Sequence, residues 1–135
     1  MELLESLRAS GNTIAIVTSK LREDARSELL VTGLDRQIDV LIAFEDTAEH
    51  KPHPSPMLKA LGSLSSTKGI GVGDLPTDVA SARAAGLEAI GVSWGYGTPE
   101  ALLSAGAACL CDTVATLASE IECRSLAPGD GEMPS

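Results

Sequence analysis

Apolar residues follow two periods along this chain, and the two periods alternate from one end to the other. Short apolar runs rich in β-branched residues are typical of buried strands, and between them apolar residues recur every three or four positions, as on one face of a helix. The runs predict strands at 13–17, 38–44, 69–72, 89–92 and 107–111. The helical spacing predicts helices at 1–9, 22–31, 56–64, 77–85, 99–104 and 114–121.

Strands that alternate with helices of this length predict an α/β fold with a parallel sheet and right-handed crossovers. At 135 residues the chain is one domain at most, and its core must consist of Ala, Val, Ile and Leu because Phe44, Trp94 and Tyr96 are its whole aromatic set. We expect the folded domain to cover residues 1–122 and the tail at 123–135, which contains several Gly and Pro residues, to be disordered.

The formal net charge of −9 argues against nucleic acid and anionic membranes as partners, since both bind clustered Lys and Arg. An anionic small substrate would instead need a metal or a well-placed Lys. The three cysteines form no pair of Cys-x-x-Cys units, so no zinc site is expected, and free thiols suit a reducing compartment. No apolar run approaches the roughly 20 residues that cross a bilayer, and the N-terminus lacks a secretory pattern, so we expect a cytoplasmic protein.

The most informative segment spans residues 72–79, where an apolar strand ends in Gly-Asp and a second aspartate follows four residues later. In open α/β sheets, ligands bind at the carboxyl ends of the strands. Asp74 and Asp78 are therefore candidates to hold a hard cation against an anionic ligand. Aspartate at the start of a helix is also typical of capping, so for Asp78 both interpretations remain open.

Two further loops follow predicted strands and carry groups that suit a phosphate. The Thr18 hydroxyl, beside Ser19, can donate to a phosphate oxygen, although a threonine after a strand is also a common helix N-cap. Lys51 is followed by Pro52 and Pro54, which stiffen the backbone and favour an inward-directed ammonium over a solvated surface group. A hydroxyl, an ammonium and two carboxylates at one edge of a sheet indicate a phosphate-handling site.

The order of these segments resembles motifs two, three and four of the haloacid dehalogenase-like phosphohydrolases, and especially phosphoglycolate phosphatases and related pyrophosphatases. The segments are Ile-Ala-Ile-Val-Thr at 14–18, Lys-Pro-His-Pro at 51–54 and Gly-Asp-x-x-x-Asp-Val-x-x-Ala-x-x-Ala-Gly at 73–86. The resemblance covers roughly residues 1–122 and implies a Rossmann-like three-layer sandwich. It also implies a Mg²⁺-dependent phosphatase that acts on a small phosphate ester such as 2-phosphoglycolate, or on pyrophosphate.

The resemblance assigns a role to each candidate residue. Thr18 would hydrogen-bond the transferring phosphoryl oxygen, with Ser19 nearby, and Lys51 would neutralise charge on the phosphoryl group and on the attacking carboxylate. Asp74 would bind Mg²⁺ directly or through water, while Asp78 would orient either the metal shell or Lys51. These roles fit phosphoryl transfer, which depends on positioning and on cations beside the phosphoryl oxygens.

The family's first motif, Asp-x-Asp-x-Thr, which carries the nucleophile, does not occur in this sequence. The resemblance therefore implies that the chain is the C-terminal part of a phosphatase, without the family's first strand and cap. Such a part is expected to be inactive alone. In the family the missing strand lies between the strands that end at Thr18 and Gly73, so we expect two half-sheets with open edges that favour self-association. Two alternatives remain: a non-catalytic module that binds phosphate, metal or a partner, and a structural remnant without a ligand.

Overall fold

A computed structural model describes residues 2–66 and 68–125 of the chain. Its strands and helices alternate as the hydrophobic pattern predicts. The strands are β1 (Ala15–Val17), β2 (Val40–Ile42), β3 (Ile70–Gly73), β4 (Glu88–Val92) and β5 (Cys109–Cys111). The helices are α1 (Glu2–Ala9), α2 (Arg22–Thr32), α3 (Ser55–Ser63), α4 (Pro76–Ala84), α5 (Pro99–Ser104) and α6 (Val114–Ser125).

Helix boundaries follow from local chemistry. Pro76 and Pro99 are the first residues of α4 and α5, where a missing N–H costs nothing. The Thr98 hydroxyl caps α5 by accepting a hydrogen bond from the Ala101 amide at 3.1 Å. Gly33 ends α2 in the left-handed conformation, with φ of 77°, which glycine adopts without steric cost.

All strand pairs in the described part of the chain are parallel, but they form two sheets. One sheet contains β1 and β2, and the other has the order β3-β4-β5. In the first sheet Ile16 pairs with Leu41, and in the second Val72 pairs with Ile90 and Gly91 pairs with Leu110. The parallel α/β prediction is confirmed, and so is the expectation of two half-sheets.

The three-stranded sheet is covered on both faces. Leu87 and Ala89 project toward a core that α3, α4 and α5 complete, whereas Ile90 and Val92 project toward a core that α6 and α1 complete. Successive residues of a strand point to opposite faces, so this alternation produces three layers. The buried residues of the first core are Leu61, Val79, Ala82, Leu87, Ala89 and Leu102. Those of the second are Ile90, Val92, Cys111, Leu117 and Ile121.

A largely apolar cavity of about 330 Å³ lies between the two sheets. Residues 13–17, which include β1, and residues 69–72 at β3 both line it. Leu3 and Leu7 of α1 and Ile121 of α6 contribute further apolar wall, and Lys51 and Asp78 are its charged lining residues. No ladder joins β1 to β3 within the described residues.

The structure changes several predicted boundaries. β2 is shorter than the apolar run at 38–44, and residues 44–46 form a 3₁₀ turn instead. α6 continues to Ser125, so the first three residues of the predicted tail at 123–135 are helical. The remainder of that tail, from residue 126, lies outside the described residues. None of the helices in the described ranges is long and apolar enough to cross a membrane.

Candidate functional site

The Lys51 ammonium joins the two sheets at the carboxyl ends of their facing strands. Its Nζ donates to the carbonyl oxygen of Val17, the last residue of β1, at 3.1 Å. It also donates to Asp78 Oδ1 at 2.6 Å, on the first turn of the helix that follows β3. The Lys51 and Asp78 side chains are only 13% and 12% exposed. An ammonium has three donors, so one remains for an anion.

Asp78 both caps the start of α4 and pairs with Lys51. Its Oδ2 accepts a hydrogen bond from the Leu75 amide at 3.2 Å, which satisfies a free backbone donor at the start of α4. Its Oδ1 is the partner of Lys51. The contact with Lys51 agrees with the alternative in which Asp78 orients Lys51.

The loop that carries Lys51 is anchored to α4 and α3. The Ser81 hydroxyl, which is completely buried, donates to the carbonyl oxygen of His53 at 2.7 Å. His53 Nδ1 accepts from the Ser55 amide at 3.1 Å, and its Nε2 lies 2.7 Å from Glu49. The Lys51–Pro52 peptide bond is cis. The inward orientation predicted for Lys51 is thus held by contacts on both sides of it.

His50 has a different environment from His53. Its ring packs edge-on against Phe44, with ring centroids 4.0 Å apart. Its Nε2 is buried and has no hydrogen-bond partner among the described residues. His53 stabilises the loop through its contacts with Ser55 and Glu49. His50, next to Lys51, has a buried ring nitrogen without a hydrogen-bond partner among the described residues.

Thr18 and Ser19 lie at the end of β1, next to the carbonyl that accepts from Lys51. The Thr18 amide continues the ladder by donating to Ile42 O at 2.9 Å. The Thr18 hydroxyl accepts from the Lys20 amide at 3.1 Å, and α2 begins after Leu21 without a side-chain cap. Thr18 is therefore not the helix N-cap, and its hydroxyl proton is left to donate. Ser19 is exposed.

Asp74 occupies the turn between β3 and α4, where a segment of the next βα loop contacts it. The Tyr96 amide donates to Asp74 Oδ2 at 3.1 Å, and the Gly97 amide donates to the Asp74 backbone carbonyl at 2.8 Å. Within residues 2–66 and 68–125, no hydrogen bond reaches Asp74 Oδ1. Trp94 and Tyr96, in the same loop, are 50% and 92% exposed.

The donor set at Asp74 fits Mg²⁺ in part. Mg²⁺ takes oxygen ligands, typically one or two carboxylates, and keeps several waters. Asp74 offers one carboxylate oxygen that accepts no hydrogen bond from the described residues, whereas each oxygen of Asp78 already accepts one. The described residues contain no cluster of three or more His, Cys, Asp or Glu that could enclose a metal by themselves.

The structure brings together the Val17–Thr18 strand end, Lys51 and Asp78, and it holds Asp74 by a separate set of contacts. Lys51 and Asp78 line the cavity, whereas Thr18, Ser19 and Asp74 are not among its lining residues. Sequence reasoning missed the Ser81 hydroxyl and the backbone groups of Val17 and Tyr96. Ser81 had one available signal, since it lies three residues after Asp78 and so on the same helix face.

Comparison with known proteins identifies the family. A family model described as "Haloacid dehalogenase-like hydrolase" matches residues 1–92. The chain is 38% identical over 127 residues to "Phosphoglycolate phosphatase, plasmid" of Cupriavidus necator, an alignment that covers 93% of this chain and 55% of that protein. It is 36% identical over 104 residues to "Pyrophosphatase PpaX" of Bacillus pumilus, covering 76% of this chain and 48% of that protein.

A solved structure agrees with the sequence comparisons. The crystal structure of CbbY from Rhodobacter sphaeroides in complex with phosphate superposes with a TM-score of 0.77 at 26% identity, over 86% of this chain and 53% of that one. The chain spans about half the length of the curated relatives it matches. With its parallel sheets, its Lys51–Asp78 pair and these matches, the chain belongs to the haloacid dehalogenase-like hydrolases.

Proposed function

We propose that this chain forms the phosphate-binding part of a Mg²⁺-dependent phosphatase that acts on a small phosphate ester such as 2-phosphoglycolate, or on pyrophosphate. The observation that carries the proposal is the Lys51 ammonium, fixed between the Val17 carbonyl and Asp78 with one donor left over. A relative named phosphoglycolate phosphatase and a neighbour solved with phosphate support this substrate class. Three free thiols fit a reducing, cytoplasmic setting.

Each residue of the site has a distinct task in this proposal. The Thr18 hydroxyl donates to a phosphoryl oxygen, and the free Lys51 donor binds another, in a partly buried setting where such charge-assisted contacts are strong. Asp78 keeps the ammonium in place. Asp74 would hold Mg²⁺, which when bound supplies positive charge beside the phosphoryl oxygens.

The nucleophile must come from outside the given sequence, because Asp-x-Asp-x-Thr is absent from it. The cavity between β1 and β3 is the natural place for the strand that would supply it, since both strands line the cavity and Lys51 lies at its edge. A covalent route through an aspartyl-phosphate needs that carboxylate. The chain alone is therefore expected to show no turnover.

A chimera tests the proposal. The segment of the Cupriavidus necator relative that precedes the matched region would be fused to this chain, and 2-phosphoglycolate and pyrophosphate hydrolysis would be measured with and without Mg²⁺. We expect Mg²⁺-dependent hydrolysis of one of them by the chimera and none by the chain alone. Lys51→Met should lower kcat by about 10²–10³, the typical cost of removing a group that stabilises transition-state charge.

The matched control for Lys51 is Lys20→Met. Lys20 lies near the same strand end, but its ion pair with Glu28 is exposed, at 52% and 62%. We expect this variant of the chimera to keep its rate. Equal activity of the Lys51→Met and Lys20→Met variants would refute the role assigned to Lys51, and hydrolysis by the chain alone would refute the need for an added nucleophile.

A second candidate is a non-catalytic module that binds phosphate and pairs with a partner through its sheet edges. The two separate sheets with open facing strands favour it. It predicts that inorganic phosphate, titrated against the chain alone by calorimetry, binds in a Lys51-dependent way while the well-folded chimera hydrolyses neither substrate.

A further inference from the structure

The loop that follows β4 folds back over the turn that follows β3. Its backbone makes two hydrogen bonds to Asp74, one from the Tyr96 amide to the side chain and one from the Gly97 amide to the main chain. Residues 94–97 follow Asp74 by 20 positions or more along the chain, so this is a tertiary contact. Residues 94–97 thus form a clamp on Asp74, the Asp74 clamp.

The two glycines of the clamp are required by how closely it approaches Asp74. A Cβ on Gly95 would lie 2.1 Å from Asp74 Oδ2 and 2.2 Å from Asp74 Cβ. A Cβ on Gly97 would lie 2.4 Å from the Asp74 carbonyl oxygen. These separations are far inside van der Waals contact, so a side chain at either position would displace the carboxylate or the loop.

Burial of apolar surface holds the clamp only in part. Its two aromatic residues, Trp94 and Tyr96, are half and almost fully exposed. Among the described residues, the two hydrogen bonds to Asp74 are the polar contacts between residues 94–97 and the turn that follows β3. The clamp and Asp74 are therefore joined by these two hydrogen bonds and by the close approach of Gly95 and Gly97.

We propose that Gly95 and Gly97 are positioning residues that fix the Asp74 carboxylate for cation binding. The clamp engages Oδ2 through the Tyr96 amide and leaves Oδ1 without a hydrogen bond from the described residues. Fixing one oxygen reduces the rotamer freedom that a cation would otherwise have to restrict. The identity of the cation rests on the function proposed above, whereas the clamp itself does not.

Coupling between cation binding and the clamp can be measured from the side of the clamp. If the clamp holds Asp74 in its cation-binding position, a cation bound at Asp74 must in turn stabilise the clamp. Trp94 is the single tryptophan of the chain, so its fluorescence reports on this loop.

The experiment uses the full chain, labelled with ¹⁵N, and two readouts. The first is amide hydrogen exchange without metal: Asp74→Ala and Gly95→Ala should each speed exchange of the Tyr96 amide about tenfold, the loss of one hydrogen bond. The second is a Mg²⁺ titration followed by Trp94 fluorescence, in which Gly95→Ala should weaken binding by about tenfold. Gly62→Ala is the matched control, because a Cβ at Gly62 meets nothing within 4 Å.

The outcomes separate the clamp from the proposed function. Unchanged Tyr96 exchange in Asp74→Ala, or Mg²⁺ binding by Gly95→Ala as tight as by Gly62→Ala, would overturn the clamp. If the unaltered chain binds no Mg²⁺, the cation role of Asp74 in the proposed function fails, and the exchange readout alone decides on the clamp. If Gly95→Ala does not fold, Asp74→Ala still gives that decision.

Discussion

Lys51 and Asp78 are each other's charge partner in a setting with little water, and this makes the pair sensitive to one-sided change. Both side chains are nearly buried, in contrast to Lys20 and Glu28, which form an ion pair in solvent. Removing one member of a buried pair leaves an uncompensated charge, whereas exposed pairs contribute little. The two pairs therefore provide an internal comparison within one fold.

We expect Asp78→Asn to lower the free energy of unfolding by about 3 kcal/mol, because the amide still accepts from Leu75 but leaves the Lys51 ammonium unpaired. Glu28→Gln should change it by less than about 1 kcal/mol. Urea denaturation followed by circular dichroism measures both. Similar small losses for the two variants would mean that Lys51 is solvated in solution.

Burial and exposure predict different reactivities for the cysteines. Burial raises the pKa of the Cys111 thiol to about 11, with a smaller contribution from Cys109, and Cys123 is exposed. The folded pKa lies above the reference value of 9.0, so the neutral thiol's contribution to stability is complete below about pH 9 and is lost as the pH rises toward 11.

The expected result at pH 8 is rapid alkylation of Cys123 by iodoacetamide and modification of Cys111 only when the chain unfolds, since the thiolate is the nucleophile. Peptide mass spectrometry over a time course measures it. Alkylation of Cys111 at the rate of Cys123, under conditions where circular dichroism reports a folded chain, would contradict its burial.

Single residues also mark the limit of what the sequence predicts. Lys51, Asp74 and Asp78 carry distinctive side chains in segments that follow predicted strands, and orienting Lys51 is one of the two roles that the resemblance implies for Asp78. The Val17 carbonyl and the Tyr96 amide leave no trace in a side-chain pattern, because every residue has these groups. Their partners lie 34 and 22 positions away, so only the fold identifies them.

At the scale of elements, the hydrophobic pattern predicts each strand and each α-helix of the described residues, but neither the 3₁₀ turns nor the point where pairing stops. The apolar run at 38–44 continues past β2, yet the Asp46 carboxylate accepts from the Ala43 amide at 2.6 Å and turns the backbone away from the ladder. α6 extends past its apolar spacing, and Arg124 in this extension forms ion pairs with Glu120 and with Glu88 at 3.3 and 3.0 Å. Polar contacts accompany both differences, and hydrophobic periodicity contains no information about them.

β3 packs closely against α4 at Gly71. A Cβ on Gly71 would lie 2.6 Å from the Ala82 Cβ, and Ala82 is almost completely buried. We expect Gly71→Ala to cost about 1–3 kcal/mol through overpacking, and it should also move the turn that carries Asp74 and Asp78.

Thermal unfolding of Gly71→Ala beside Gly62→Ala measures this cost. Gly62 lies in α3 with open space around its Cβ position, so its replacement should be neutral or stabilising by about 1 kcal/mol. Equal melting temperatures for the two variants would show that β3 and α4 can separate without loss.

At the scale of the whole molecule, the two sheets leave backbone groups of β1 and β3 without a ladder partner. The Thr18 amide and the Ile14 carbonyl bond to β2, so the alternation of a strand directs the Ala15 and Val17 amides away from it. The Lys51 bond to the Val17 carbonyl agrees with this direction. An open strand edge beside an apolar cavity is a template for pairing with another chain.

We therefore expect the chain to sediment above its 13.9 kDa monomer mass at micromolar concentration, because pairing buries both the free edge and the cavity wall. Ala15→Pro should shift it toward monomer, since proline removes an outward amide and is tolerated on an edge strand. Ile16→Pro is the contrasting variant, because its amide faces β2 and its loss should weaken the β1–β2 ladder itself. A chain that is monomeric without any substitution, and stable in that state, would mean that the cavity closes over the open edges. Monomer formation by Ala15→Pro with an unchanged circular dichroism spectrum would instead identify the β1 edge as the site of association, the same edge at which the proposed function places the strand that carries the nucleophile.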